Sequence, residues 1–286
     1  MATPTLTDPT ARWMRIAGDR RLALGTLAAS THEAELPQPP AFSFGFAQDD
    51  ARAGVVRLGE APFVVRPLRP SVALAGLGVP AVLAGALPGV PLVGPLGGRA
   101  RPGVRAITSH DPRFSRLWER FSIDVGVSVE RSAAFLSARA FERSGPPLRV
   151  LVLEDGERYA MRAMCMFDAE PSARARGGPE LGVVHELLHD RSVTGMRAAS
   201  HLLGLALREL AREGAEAACA LSFAHSGSFP MFVRHGFLPS AALARAAGLG
   251  RLAFGVVAED PDLAPILERR ENWYLSWLDV EDALAG

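Results

Sequence analysis

The sequence predicts a mixed α/β fold, in which a mostly antiparallel sheet carries helices on both faces and follows a partial N-terminal subdomain. Three observations predict it. The pair Asp155-Gly156 separates two apolar runs, which is typical of a β-hairpin. A long amphipathic helical pattern over 194–213 lies between two short apolar runs that we interpret as strands. From residue 111 onward, the predicted elements follow in the order helix, helix, hairpin, strand, long helix, strand, helix, strand. This order indicates helices on both faces of one sheet.

The individual elements are predicted from periodicity and from residues that start or stop helices. Asp111-Pro112 is a helix start signal, and Gly214 ends the long helix. Apolar residues at helical spacing predict helices over 114–121, 132–143, 194–213, 228–235 and 263–272. Short apolar runs predict strands over 104–107, 127–129, 148–153, 158–167, 182–188, 217–223 and 254–258.

The first hundred residues carry weaker signals. We expect a helix within 13–29 and strands over 54–59 and 63–68. Residues 70–98 contain no charge and are long enough to span a membrane, but Pro80, Pro88, Pro91 and Pro95 argue against a spanning helix. We therefore expect an apolar Pro/Gly-rich connector there and no membrane partner. The sequence thus predicts an N-terminal unit 1–70, a connector 71–102 and a main domain 103–286.

The composition excludes several classes of function. The 31 basic and 31 acidic side chains cancel, so the chain shows no charge pattern for nucleic acid or an anionic membrane surface. All the basic residues are arginine, which is typical of a GC-rich, bacterial-like genome. Cys165 and Cys219 lie in apolar runs and are expected to be buried free thiols. Residues 1–10 lack a secretory signal pattern, so we expect a cytoplasmic protein.

Several stretches of the chain resemble the C-terminal half of tandem GNAT proteins, members of the GNAT superfamily of N-acetyltransferases. The predicted order of elements is also the GNAT order, and the stretch FVVRPLRP resembles the end of the first half of such proteins. The unit 1–70 would then be a remnant of that half. The five stretches that carry the resemblance are FSRLWERF (114–121), VERSAAFLSARAF (129–141), GVVHELLHD (182–190), MFVRHGF (231–237) and WYLSWLDVED (273–282).

The resemblance implies an acyl-CoA-dependent N-acetyltransferase that acts on an amine. In the family, backbone N–H groups at the start of the helix after the central strand bind the pyrophosphate of acetyl-CoA. Aligned on the family pattern, Thr194 takes the first position, Arg197 stands where glycine is usual, and Ala199 takes the last. The residues predicted to bind acetyl-CoA are Leu187, Leu188, Arg191, Thr194, Gly195, Met196, Arg197, Ala198 and Ala199.

The catalytic residues implied by the family are less complete. Phe232 stands where the family has a tyrosine that acts as the acid for the leaving thiolate. Glu186 and His189 are candidate bases, and His225, Ser226 and Ser228 are candidate replacements for the acid. The acceptor is a small-molecule or protein amine, and the sequence leaves open whether the chain forms a homodimer. A non-catalytic GNAT-like module that binds a ligand or a partner is an alternative.

A second alternative is a zinc-dependent hydrolase. Residues 185–189 spell HExxH, the zinc-peptidase signature, and Glu209 lies at a spacing compatible with a third ligand. On a helix His185 and His189 would share one face, whereas on a strand they would lie roughly 13 Å apart. The β-branched start and short length of this run favour a strand. The secondary structure therefore decides between the two interpretations.

Overall fold

The computed structural model describes residues 13–16, 20–23, 25–26, 42–47, 55–79, 102–143, 145, 147–156, 160–173, 178–258 and 260–284. Most of the predicted connector therefore lies outside the described residues. No helix in these ranges is both long enough and apolar enough to cross a membrane.

Fourteen strands and eight α-helices make up the described ranges. The strands are β1 Trp13–Ile16, β2 Arg20–Ala23, β3 Gly25–Thr26, β4 Phe42–Ala47, β5 Val56–Glu60, β6 Phe63–Pro67, β7 Val104–Ile107, β8 Val127–Val129, β9 Leu148–Glu154, β10 Met161–Asp168, β11 Ser172–Ala173, β12 Glu180–His189, β13 Ala217–Leu221 and β14 Ala253–Ala258. The helices are α1 Pro70–Gly76, α2 Arg113–Phe121, α3 Ala133–Phe141, α4 Val193–Arg212, α5 Phe229–Arg234, α6 Ala241–Ala246, α7 Ala264–Leu267 and α8 Trp277–Leu284.

The largest sheet has the strand order β6-β13-β12-β10-β9-β7, and β11 pairs with β12 beside this path. Its pairings are antiparallel except for the parallel pair β12 and β13. Leucine and alanine side chains of α4 pack on one face of the sheet. Side chains of α2 and α3 pack on the opposite face. The predicted fold class, a mostly antiparallel mixed sheet between helices, is thus confirmed.

The central strands β12 and β13 separate partway along their length. They are paired only where Leu181, Gly182 and Val183 lie opposite residues 217–219. Beyond this point β12 continues to His189, and its register with β10 skips His185, which marks a β-bulge. A bulge bends a strand and increases its twist. The divergence of β12 from β13 therefore begins where the bulge begins.

Strand pairing crosses the predicted domain boundaries in both directions. Strand β6, from the predicted N-terminal unit, extends the main sheet by pairing with β13. Strand β14, from the predicted main domain, pairs with β4 and β5 of the N-terminal unit. The boundaries at 70 and 102 stay predictions about independent units, but strands of the two parts share the sheets named here.

The predicted helix within 13–29 is wrong. This range contains β1, β2 and β3 instead, and β1 pairs with β8 of the main domain. The pairing partner lies more than a hundred residues away in sequence, so tertiary contacts override the local pattern that suggested a helix.

Candidate functional site

The start of helix α4 lies directly after the central strand and faces solvent. Only three residues, 190–192, connect β12 to α4. Arg191, Thr194, Met196 and Arg197 are exposed, whereas the other predicted cofactor residues are buried in the core. The backbone N–H groups of Val193 and Thr194 have no hydrogen-bond acceptor among the described residues. Free amide donors with the helix dipole form a site that favours anions.

Two arginines flank this helix start. The Nε of Arg191 donates to the carbonyl of Phe121 at 2.8 Å, and the guanidinium lies 5.4 Å from the ring centroid of Phe121. Arg197 lies one turn into α4, and helical side chains lean toward the N-terminus of their helix. Arg197 can therefore reach an anion bound at the first turn. Arg191 also lies 3.4 Å from the exposed carboxylate of Asp124, a weak pair with which a bound anion competes.

The buried Asp190 stabilises the connection between β12 and α4 through hydrogen bonds. Its carboxylate accepts hydrogen bonds from the backbone and hydroxyl of Ser192 and from Arg162 at 2.8 Å. Burial opposes ionisation of Asp190, but these hydrogen bonds outweigh it and hold its pKa below the ordinary value. Ser192 in turn caps α4 by accepting from the N–H of Gly195. A Cβ at position 195 would collide with Asp190, so the glycine is required here for packing.

The opening between β12 and β13 is bridged by the loop that follows β13. The hydroxyl of Ser228 donates to the carbonyl of Leu187 at 2.7 Å. The N–H of Leu187 donates to its neighbour Glu186 at 3.2 Å. The backbone groups of Leu187 that point away from β10 therefore have internal partners, and a ligand that enters the opening must displace Ser228.

Glu186 lies at the centre of a fully buried polar cluster, which we call the Glu186 network. Its carboxylate accepts from Arg131 at 2.7 Å, from Ser276 at 2.9 Å and from the hydroxyl of Tyr274. Arg131 also pairs with Asp279 at 2.5 Å. Burial raises the pKa of Tyr274 well above its usual value, and the nearby Glu186 carboxylate adds to the rise. Every side chain of the network thus forms a hydrogen bond or an ion pair with another member, and none is exposed to solvent.

The histidine candidates differ in accessibility. His189 is buried, and its Nδ1 and Nε2 face the carbonyls of Asp190 and Gly227 at 2.7 and 3.3 Å. Neither nitrogen is placed to take a proton from a ligand. His225 is exposed, and its Nε2 lies 2.8 Å from the carbonyl of Trp273. Because a carbonyl only accepts, we assign the proton to Nε2, which leaves Nδ1 as the basic nitrogen.

The remaining catalytic candidates are buried. Ser226 is 7% exposed and accepts a long hydrogen bond of 3.4 Å from the N–H of Ser228. Phe232, which stands at the position of the family tyrosine, packs against Phe237 in the core beneath α4. His225 is therefore the solvent-accessible member of the candidate set.

An open cavity of about 390 Å³ lies beside the end of β13. Its walls come from the turn between β5 and β6, the loop after β13, helix α6 and the segment 249–252. His225 lines it, together with Arg245, Arg251 and Arg270. The loop 222–228 thus reaches β12 on one side through Ser228 and forms a wall of the cavity on the other.

The order of helices and strands along residues 113–258, with the long helix directly after the central strand, matches the order of elements expected above. The chain has a GNAT-like fold. No protein-family model matches the sequence, and no curated protein matches it.

Three solved structures illustrate the similarity of chain trace. N-myristoyltransferase of Saccharomyces cerevisiae with bound myristoyl-CoA and inhibitors is 13% identical, with a TM-score of 0.49 over 76% of this chain and 52% of that one. A GCN5-related N-acetyltransferase from Anabaena variabilis is 10% identical, with a TM-score of 0.47 over 86% and 57%. A conserved protein of unknown function from Enterococcus faecalis is 10% identical, with a TM-score of 0.49 over 88% and 59%.

The chain thus spans only slightly more than half the length of these three structures. At 10–13% identity, this similarity does not extend to activity.

The zinc alternative is wrong. Residues 185–189 lie in β12, so the two histidines are four positions apart along an extended strand and one ion cannot bind both. His185 bonds Asp168 at 2.7 Å, and Glu209 pairs with Arg149 at 2.8 Å. No group of three metal-ligating side chains occurs within the described ranges.

Sequence reasoning missed the partners of Glu186 and the arginines of the cavity. A glutamate within the apolar run 182–188 signals a buried carboxylate that needs a cation, but the sequence does not reveal which one. Arg131 and Asp279 are separated by 148 positions. Arg245, Arg251 and Arg270 form no local motif, and only the fold brings them together.

Proposed function

We propose that this GNAT-like chain is an acyl-CoA-dependent acyltransferase that transfers an acyl group to an amine. The observation that carries the proposal is the exposed first turn of α4, where the N–H groups of Val193 and Thr194 have no acceptor within the described part of the chain. This turn lies beside the place where β12 and β13 diverge. An anion site and an opening in the sheet lie together, as a diphosphate joined to an extended thioester arm requires.

In this proposal the diphosphate of acyl-CoA binds at the first turn of α4. Arg191 and Arg197 pair with its charges, because guanidinium groups bind phosphate oxygens well. The arm then enters the opening between β12 and β13, where Ser228 moves away from the carbonyl of Leu187. Acetyl-CoA is the form we expect, since the resemblance noted above implies it.

His225 is the proposed base. Its Nδ1 takes one proton from the ammonium form of the acceptor, and the neutral nitrogen attacks the thioester carbonyl. A C–N bond forms, and collapse of the tetrahedral adduct breaks the C–S bond. The second proton leaves the acceptor nitrogen for the departing thiolate, which gives an amide and free CoA. Because Phe232 has no hydroxyl, this proton reaches the thiolate without a tyrosine acid.

Calorimetric titration with acetyl-CoA tests the proposal. Saturable binding to the wild-type chain is expected, with affinity about tenfold lower in Arg197→Gln because one charged hydrogen bond is lost. Arg212→Gln, at the exposed far end of the same helix, is the matched control and should bind like the wild type. Equal affinities in the two variants, or no binding to folded wild-type protein, would overturn the proposed cofactor site.

A second candidate function is a non-catalytic GNAT-like module. Two observations favour it. The hydroxyl of Ser228 bonds the carbonyl of Leu187 and so blocks the space between β12 and β13. The buried Phe232 stands where the family has a tyrosine, so this position supplies no acid. The same titration discriminates the two. A chain that shows a cooperative unfolding transition but binds no acetyl-CoA would support the module.

A further inference from the structure

The cavity beside β13 carries an excess of positive charge. Three arginines line it, Arg245, Arg251 and Arg270, and Glu60 is the acidic residue among its lining residues. With one carboxylate against three guanidinium groups, the formal balance is two positive charges, with His225 counted as neutral. The chain as a whole is neutral, so this excess is a local feature. A cavity lined by one sign of charge concentrates ligands of the opposite sign.

The guanidinium groups are only loosely paired within the chain. Arg251 lies 3.8 Å from the carboxylate of Glu60, and both side chains are largely exposed. Arg245 donates to the carbonyl of Ala241 in its own helix at 3.4 Å. Neither Arg245 nor Arg270 forms an ion pair with a carboxylate of the described residues. Exposed ion pairs of this geometry are weak, so an incoming anion competes easily for these cations.

Arg270 is held more firmly than the other two. It donates to the carbonyl of Glu60 at 3.0 Å, and its guanidinium lies 4.9 Å from the ring centroid of Phe223. Phe223 also stacks on His225, with ring centroids 5.1 Å apart and an angle of 15° between the planes. One buried aromatic ring therefore contacts both an arginine and the candidate base of the cavity.

The size and the apolar part of the cavity indicate a small molecule. A volume of about 390 Å³ lies within the range of small-molecule sites. Phe63, Phe223, Leu249 and Leu252 line it and are nearly fully buried. The combination of an apolar wall, an arginine group and one basic histidine suits a compact molecule with an apolar portion and an anionic group.

We propose that this cavity binds the acyl acceptor, and that the acceptor is a small amine that carries a carboxylate or a phosphate. The arginines bind the anionic group, which leaves the amine for Nδ1 of His225. The assignment of the ligand as the acceptor rests on the proposed function, whereas the recognition of an anionic amine by the cavity does not. The proposal deepens the acyl transfer by naming the chemical class of its second substrate.

Two matched pairs of probes test this class. L-phenylalanine is compared with L-phenylalaninamide, and phosphoethanolamine with ethanolamine, by calorimetry at low ionic strength because salt screens exposed charges. Each pair keeps the amine and removes the anionic group, and the two pairs separate carboxylate from phosphate. The protein is the full chain, together with the double variant Arg245→Gln/Arg251→Gln. The control Arg212→Gln/Arg269→Gln removes two exposed arginines outside the cavity.

The expected result is that at least one anionic probe binds ten or more times more tightly than its neutral counterpart. The Arg245→Gln/Arg251→Gln variant should lose most of this preference, and the control should keep it. The proposal is overturned if neither anionic probe is preferred, or if the preference survives in the cavity variant. It is also overturned if acetyl-CoA displaces the bound probe, because the cavity would then belong to the cofactor site.

The outcome is separable from that of the proposed function. Probe preference without any acetyl-CoA binding would remove the acyl transfer and contradict the assignment of the ligand as an acceptor. Acetyl-CoA binding without probe preference would keep the transfer and overturn the inferred class of acceptor.

Discussion

The Glu186 network and the cavity beside β13 contain similar groups in opposite surroundings. In the network, Arg131 is fully buried and bonds Glu186 and Asp279, and both carboxylates are also almost fully buried. In the cavity, the side chains of Arg251 and Glu60 are 69% and 46% exposed and lie 3.8 Å apart. The same pair of chemical groups is therefore closed on itself in one region and open to solvent in the other.

The difference in burial indicates that the Glu186 network stabilises the fold and that the cavity is suited to bind a ligand. Buried charges must be paired, so the Glu186 network ties β12, the segment after β8 and the C-terminal helix α8 into one arrangement. Because Arg131 and Glu186 are buried and paired with each other, a ligand in solvent cannot reach either group. The cavity retains surplus cations at the surface, where a ligand can reach them.

Arg131→Met should give the largest effect. The substitution leaves Glu186 and Asp279 buried without their cation, so we expect the free energy of unfolding to fall by about 3–5 kcal/mol. Arg245→Met, the matched change in the cavity, should alter it by less than about 0.5 kcal/mol because the side chain is exposed. Urea unfolding at pH 7 measures both. Similar values for the two variants would remove the contrast between the regions.

The sequence predicted the parts of the fold that depend on local pattern. The hairpin of β9 and β10 follows from Asp155-Gly156, and the N–H of Asp155 bonds the carbonyl of Ala160. The long helix and the central strand were predicted to within two residues at each end. In these elements periodicity, turn residues and caps all act over a few neighbouring positions.

Long-range pairing was beyond the sequence. The run 63–68 was expected to be a strand, but nothing local shows that it joins β13 of the main domain. The candidate site divides in the same way. His225 was selected from its neighbourhood in sequence, whereas Arg270 enters the cavity through a fold contact with Glu60. A single sequence indicates which secondary structure a segment can form, whereas tertiary packing determines which distant segment it contacts.

His235 is a buried titratable residue, and its protonation should give the second largest change in the free energy of unfolding. Burial, aided by the nearby charge of Arg66, lowers the pKa of His235 from 6.5 to about 4. The unfolded chain therefore binds a proton at a higher pH than the folded chain does. The free energy of unfolding should fall as the pH drops from about 6.5 to about 4, by at most about 3 kcal/mol from this residue.

Urea unfolding across this pH range checks the His235 prediction. In His235→Gln the slope between pH 6.5 and 4 should be smaller, because glutamine does not titrate and can still bond Ser200, as His235 does at 2.9 Å. An equal slope in both proteins would show that His235 is not the group responsible. Comparing the two proteins removes the contribution of the carboxylates, which titrate in both.

Ser228→Ala should have an intermediate effect on stability and an informative effect on binding. It leaves the carbonyl of Leu187 without the hydroxyl donor, at a cost of about 1–2 kcal/mol. The proposed acyl-CoA arm has to displace this hydroxyl, so acetyl-CoA affinity should rise by up to about tenfold. Ser222→Ala is the control, since its hydroxyl makes only a 3.5 Å contact with the carbonyl of Phe223. Weaker acetyl-CoA binding in Ser228→Ala would contradict entry through this opening.

Glu209→Gln should have the smallest effect, because its ion pair lies at the surface like those of the cavity. Glu209 bonds Arg149 at 2.8 Å, and the two side chains are 27% and 41% exposed. Exposed pairs contribute less than about 1 kcal/mol, and salt screens them. The loss measured by urea unfolding should therefore shrink as the salt concentration rises. A loss above about 2 kcal/mol that persists at high salt would place Glu209 with the closed, buried pairs and undo the distinction between the two kinds of region.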